Sequence, residues 1–398
     1  MTSALDPTTE RRLIALLSLG AFGSAASMRV ADAQLPALAD HFGVGLAAVA
    51  QVITVFSVAY GVLQLAYGPL GDRVGKWRVI AAMVFVSGLT AAACALAPSF
   101  GLLVLARLVA GATCAAIIPL SMAWIGDAVP YARRQPVLAR FLTGQILGMA
   151  GGQWAGGIAA DVGVWQLPFV LLALWFAVAG ALLWRQRATG VTASPPRTGS
   201  GHLLRELADV LRRPWARVVV AVVFVEGLLL FGAIAFFATH LHLVHGLSLS
   251  VAGGIVTMYA AGGIVFALAS RLLVQRLGEP GLAAGGGVLI ALGLVGVALS
   301  PWWWTAPLAC FITGLGFYML HNTLQTNATQ MAPAARGAAV SLFASSFFLG
   351  QTAGVALTAL AVEHFGTAAV IAACALPLLA LGALFARLRA RHQVARDA

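Results

Sequence analysis

Apolar residues run for about 20 positions at a time along most of this chain, separated by short polar stretches. Twelve such runs lie near 13–35, 46–67, 79–97, 101–123, 137–160, 166–184, 217–239, 250–273, 281–300, 304–327, 338–361 and 367–386. About 20 apolar residues in a helix span the hydrocarbon layer of a bilayer. The pattern therefore predicts an all-α integral membrane protein with twelve transmembrane helices. The clearest interruption is RQRATGVTASPPRTGSG at 185–201, whose Pro, Gly, Ser and Arg content reads as a flexible linker. Beyond it, Leu203, Leu204, Leu207, Val210 and Leu211 recur at helical spacing among Arg205, Glu206, Arg212 and Arg213. That spacing predicts a short amphipathic helix on the inner membrane surface. The chain divides accordingly into 1–184, a linker region 185–215, and 216–398 with a basic tail.

Composition agrees with a lipid solvent. Of 398 residues, 61% are hydrophobic and 9% charged, against about 25% charged in ordinary soluble domains. The net charge of +11 could suggest nucleic acid, but its distribution does not. All of the 24 Lys and Arg except Arg29 and Arg107 lie at the N-terminus, in alternate loops, in the linker or in the tail. The loops near 43, 99, 163, 245, 301 and 364 have none. Short basic loops stay on the cytoplasmic side, so both termini are expected inside. Residues 11–28 resemble a signal peptide, yet eleven further runs follow and the first continues to Leu35, so a first span is expected. Cys94, Cys114, Cys310 and Cys374 are scattered within runs and read as packing residues, not metal ligands. The use of 23 Arg and one Lys suggests a GC-rich bacterial genome, hence a bacterial inner membrane. No phosphate-binding loop appears, and no metal or nucleophile constellation, so neither ATP nor an enzyme is expected.

The two parts are related. Shifted by about 203, HFGVGLA (41–47) falls on VHGLSLS (244–250), and DRVG (72–75) on QRLG (275–278). Shifted by 202, Arg134, Gly148, Gly152 and Asp161 fall on Arg336, Gly350, Gly354 and Glu363. Two repeated six-helix halves with a site between them is a plan of secondary transporters.

Between the second and third runs lies GPLGDRVGKWRV (68–79), with one acid, Asp72, and three bases, Arg73, Lys76 and Arg78. The glycines predict a tight turn, and Asp72 can pair with a base or cap a neighbouring helix. Gly68, Leu70, Asp72, Arg73, Gly75 and Lys76 match the pattern G-x-L-x-D-R-x-G-R/K, and the segment resembles the signature loop of the major facilitator superfamily. Its second copy, RLLVQRLGE, has Gln275 in place of the acid. The fourth run carries RLVAGATCAA, with Arg107 and Gly111, similar to the R-x-x-x-G motif of proton-coupled members. The fifth carries Gly148, Gly152, Gly156 and Gly157 and resembles the glycine motif of drug–proton antiporters, except that Gln153 replaces a proline. A plain small-residue stripe for close helix contact reads this segment equally well. The resemblance implies alternating access, with segment 68–78 gating the cytoplasmic face.

Charges inside spans are costly, about 2.5–3.5 kcal/mol on insertion scales, so retained ones are candidate functional residues. The candidates are Arg29 and Asp32 in the first run, Arg107 in the fourth, Glu226 in the seventh, and His321 with Asn322 and Gln325 in the tenth. The resemblance implies that these four helices line the central cavity. Arg29 and Asp32 also suit an interfacial pair, Arg107 a snorkelling base, Glu226 a structural hydrogen bond, and His321 an interfacial position. Trp302, Trp303 and Trp304 read as an aromatic belt. Low dielectric disfavours a charged carboxylate, which lets such an acid exchange protons at cellular pH, while Arg107 stabilises the charged state or holds an anion.

These readings predict a monomeric exporter of small organic molecules driven by proton exchange, without cofactor or nucleic-acid partner. The alternatives are a proton symporter or facilitator for nutrient uptake and, in another class, a non-transporting membrane sensor. Topology gives the first test. A reporter fused near Gly246 is expected on the non-cytoplasmic side and one near Ser200 in the cytoplasm; both on one side would overturn the twelve-span order.

Overall fold

The computed structural model describes residues 6–186 and 203–397, and all regular structure among them is helical. In lipid a backbone must satisfy its own hydrogen bonds, which a helix does within one segment. The main helices are α1 (Pro7–Arg29), α2 (Gln51–Val74), α3 (Lys76–Ala95), α4 (Phe100–Cys114), α5 (Tyr131–Asp161) and α6 (Leu167–Arg185), followed by α7 (Pro214–Glu226), α8 (Leu249–Val256), α9 (Met258–Leu299), α10 (Ala306–Gln330), α11 (Arg336–Ala373) and α12 (Ala375–Asp397). Among the described residues, nine helical stretches are long and apolar enough to cross a membrane. Two of these, Leu249–Leu299 and Arg336–Gln393, each contain two of the expected runs, and α5 carries the run expected at 137–160. The linker at 185–201 falls almost entirely outside the described residues.

Glycines in the left-handed region mark the turns. They are Gly43, Gly75 and Gly163, then Gly246, Gly278 and Gly366, each of the second set 203 positions after its counterpart. The offset seen in sequence thus recurs as backbone geometry. Buried apolar residues also fall into two large clusters, one almost wholly from residues 13–183 and the other almost wholly from 210–386.

The expected tight loop at 68–78 is corrected. Gly68 and Asp72 lie in the last turns of α2, which continues through Pro69 to Val74. A Cβ at Gly68 would meet open space, so packing does not require that glycine. Gly75 alone makes the turn, with φ 101° and ψ 122°, a conformation that a Cβ would strain. Pro69 is tolerated near the helix end because its missing N–H costs one bond of the ladder.

The fifth-helix glycines have a packing explanation. A Cβ at Gly148, Gly152 or Gly156 would overlap the carbonyl oxygen of Phe22, Ala26 or Val30, so the backbone of α1 and the residue just after it lies directly against α5. Gly350 and Gly354 of α11 meet Phe224 and Leu228 in the same way, again 202 positions on. Gly157 faces the Leu249 carbonyl at the start of α8 instead. The amphipathic helix is present at Leu203–Leu211. Its Val210 is buried in the second apolar cluster while Leu204 is exposed, so it docks on the bundle as well as presenting an apolar face outward.

Gly152→Ala should cost about 1–3 kcal/mol, as overpacking against rigid backbone does. The thermal unfolding midpoint in detergent should fall, whereas Gly68→Ala should leave it unchanged.

Candidate functional site

Two interrupted helices position the buried charges. α1 ends at Arg29, and a 3-10 turn at Asp32–Gln34 precedes a further helix, Leu35–Phe42. α7 ends at Glu226 and passes into a π-helical turn, Gly227–Phe231. Such turns redirect side chains and recur at functional sites. Arg29 Nη1 donates to Asp32 Oδ2 at 3.0 Å, and both side chains are buried, unlike a simple surface pair. The Arg29 guanidinium stands 4.4 Å from the centre of the Phe231 ring, a favourable cation–π placement.

Glu226 is fully buried and has a partner that its own helix could not supply. His321 Nδ1 of α10 lies 2.7 Å from Glu226 Oε2. The alternative of a merely interfacial His321 does not fit, since its ring stacks on Phe317 at 4.7 Å and contacts Phe343 and Phe347. Phe231 packs in turn on Phe317 and Phe347. An aromatic bridge thus joins Arg29–Asp32 to Glu226–His321. Asp32 Oδ1, Glu226 Oε1 and both amide atoms of Gln34 are buried without a hydrogen-bond partner. Unmet buried polar groups are costly, and these belong to the two helix interruptions, one on each side of the linker.

Arg107 does not snorkel. It is fully buried, its Nε donating to the Val52 carbonyl at 3.0 Å and its Nη1 to the Ser27 carbonyl at 2.8 Å, with the Phe56 ring 4.3 Å away. Its Nη2 has no partner. The base therefore ties α1 and α2 to α4, and two of its three nitrogens are committed to backbone.

The remaining candidates disperse. Asn322 is half-buried and Gln325 exposed, and among the described residues no hydrogen bond joins either side chain to Glu226. Gln153 is buried with its Nε2 unpartnered. In the signature segment Lys76 bridges two acids, Asp72 at 2.9 Å and Asp127 at 2.7 Å, while Arg78 is exposed. Asp127 carried no signal in sequence, because it lies 51 positions from Lys76. Asn327 was also missed. It donates to Glu279 Oε2 at 3.0 Å, which also accepts from Arg389 Nε at 2.6 Å. The helical spacing Thr323–Asn327 was the available clue. Two more acids, Asp161 and Glu363, each bond across from one side of the linker to the other; their 202-residue correspondence was visible, their partners were not.

The model of the Major Facilitator Superfamily matches residues 17–343, and the chain belongs to that family of membrane transporters. It is 25% identical over 376 residues, covering 91% of this chain and 89% of the relative, to an uncharacterized MFS-type transporter, YwfA, of Bacillus subtilis. It is 28% identical over 155 residues, 39% of this chain and 30% of the relative, to the multidrug export protein EmrB of Escherichia coli. Among solved structures, a nucleoside transporter, NupG, superposes with a TM-score of 0.73 at 12% identity, covering 94% of this chain and 98% of the other. A POT family transporter in complex with a thioalcohol-conjugated peptide gives 0.78 at 13%, covering 97% and 96%. At such identities the structures establish the fold alone.

Asp72 and Asp127 share one ammonium at the Arg-rich end. Asp72→Asn should leave insertion intact, since partly exposed pairs contribute only about 0–1 kcal/mol to stability. Transport in vesicles should slow markedly; wild-type turnover would reduce the segment to a topology signal.

Proposed function

We propose that this transporter exports small organic molecules in exchange for protons by alternating access between two six-helix halves, twelve helices in all, with both termini in the cytoplasm of a bacterium. The observation that carries the reading is Glu226: fully buried, bonded to His321, with Oε1 unpartnered. A carboxylate in that setting gains from taking up a proton or a cationic group, and loses when left bare. The neighbouring Arg29–Asp32 pair, reached through Phe231, provides a second acid whose charge is already countered. If substrate and proton compete for Glu226, inward proton flow drives outward substrate flow. His321 is suited to receive the proton that Glu226 gives up, at a separation of 2.7 Å and within hydrogen-bond reach.

The recurring glycine turns and the two apolar clusters support the two-halved reading. Export is supported by the partial likeness to a multidrug export protein. Gln153, in place of the proline of the antiporter motif, favours a second reading in which the same site runs proton-coupled uptake.

The test uses proteoliposomes with an imposed pH gradient and a panel of drugs, sugars and amino acids. Glu226→Gln keeps the shape but cannot titrate, so it should abolish pH-driven flux while counterflow persists. Asp32→Asn run in parallel identifies which acid couples, since one coupling site predicts that a single variant loses pH dependence. Unchanged rate and pH dependence in Glu226→Gln would make this glutamate structural and move coupling to Asp32. Flux with the proton gradient, not against it, would favour uptake.

A further inference from the structure

Two acids outside the central cluster make bonds whose pattern repeats. Asp161, the last residue of α5, accepts from the backbone N–H groups of Leu249 and Ser250, both at 2.8 Å. These are the first two residues of α8, and Ser248 caps the same helix by accepting from Val251 N–H. Glu363 of α11 accepts from the N–H of Ala47 at 2.9 Å. Ala47 is the second residue of the Leu46–Val74 stretch, and the N-cap there is Gly45, which has no side chain to offer. Glu363 supplies the missing cap from the other side of the molecule.

The correspondence is reciprocal. Asp161 and Glu363 are 202 positions apart, and so are Ala47 and Leu249. The carboxylate following the linker caps a helix preceding it, and the reverse. Helix starts present unpaired N–H groups and a partial positive charge, so a carboxylate satisfies both at once. Close packing lies beside the Asp161 bonds, where Gly157 abuts the Leu249 carbonyl and Gly253 the Gln153 carbonyl. Along the helix pair that carries the Glu363 bond, Gln351 Nε2 donates to Ser57 Oγ at 3.0 Å, and farther from that end Gly61 abuts the Phe348 side chain.

We infer that Asp161 and Glu363 form a paired latch that holds the Arg-free end of the transporter shut, each carboxylate capping a helix start on the opposite half. The inference rests on the alternating-access reading above, in which that end faces outward. The halves cannot part there without exposing three N–H donors and two carboxylates, whose bonds water then replaces. The latch therefore sets how often the outer side opens and acts on conformation, without touching substrate.

Distance measurement tests this without transport. Leu96→Cys and Leu243→Cys place spin labels on exposed positions at that end, one on each half, and the four native cysteines are buried. In lipid nanodiscs the parent should show mainly the short distance. Asp161→Asn and Glu363→Gln should each raise the ratio of long to short distances about tenfold, and the double variant more. Ala47→Pro removes the donor but leaves Glu363 in place, at a first-turn position that tolerates proline. It should match Glu363→Gln, and combining the two should add nothing. An unchanged distribution in a monodisperse double variant overturns the latch, as does full additivity of Ala47→Pro with Glu363→Gln. Should the double variant open while the parent couples no proton, the latch stands and the exchange reading fails. Should the parent couple protons while the distances stay fixed, the latch alone fails.

Discussion

Helices surrounded by hydrocarbon gain nothing by hiding apolar surface from one another, so their association depends on close backbone approach and on the few polar bonds between them. Every feature of this protein rests on that constraint. Gly148, Gly152 and Gly156 bring α5 onto the backbone at α1, Gly350 and Gly354 do the same for α11 and α7, and Gly111 sets α4 against Phe56. With the backbones that close, carbonyl groups of Val52 and Ser27 fall within reach of a buried guanidinium. Arg107 can then live in the interior without a carboxylate, because carbonyl dipoles share its charge.

The polar cluster obeys the same logic in the opposite sense. Where α1 and α7 break, the chain gives up regular packing and gains directed side chains: Asp32 on a 3-10 turn, Glu226 at the edge of a π-helical one. Neither break is isolated, since Arg29 lies over Phe231 and aromatic rings carry the contact on to His321. Irregular backbone at membrane depth is tolerated when it is enclosed by protein, and both turns are enclosed here.

Much of this was legible in the sequence, for reasons that differ by residue. The apolar runs were plain because lipid demands length and composition, and Glu226 stood out because a lone acid in such a run is costly. His321 was a candidate in sequence, but its link to Glu226 was not legible, because the two lie 95 positions apart and spacing within one helix cannot reveal that. The 68–78 segment read as a loop because Gly and charge usually mean one; Gly75 alone turns, while the residues before it finish α2. The glycines of α5 matched a functional motif and a packing stripe equally, and their contact with carbonyl oxygens accounts for three of the four by packing against α1.

Lys76 is the single lysine of the sequence, and it sits between Asp72 and Asp127 in the segment where α2 hands over to α3. The chain uses arginine everywhere else, and arginine is inert to acylating reagents. Amine-directed chemistry consequently finds one side chain in the whole molecule, shielded by two carboxylates. Its rate of acylation is a built-in optical or mass-spectrometric gauge of whether that three-residue contact is made or broken.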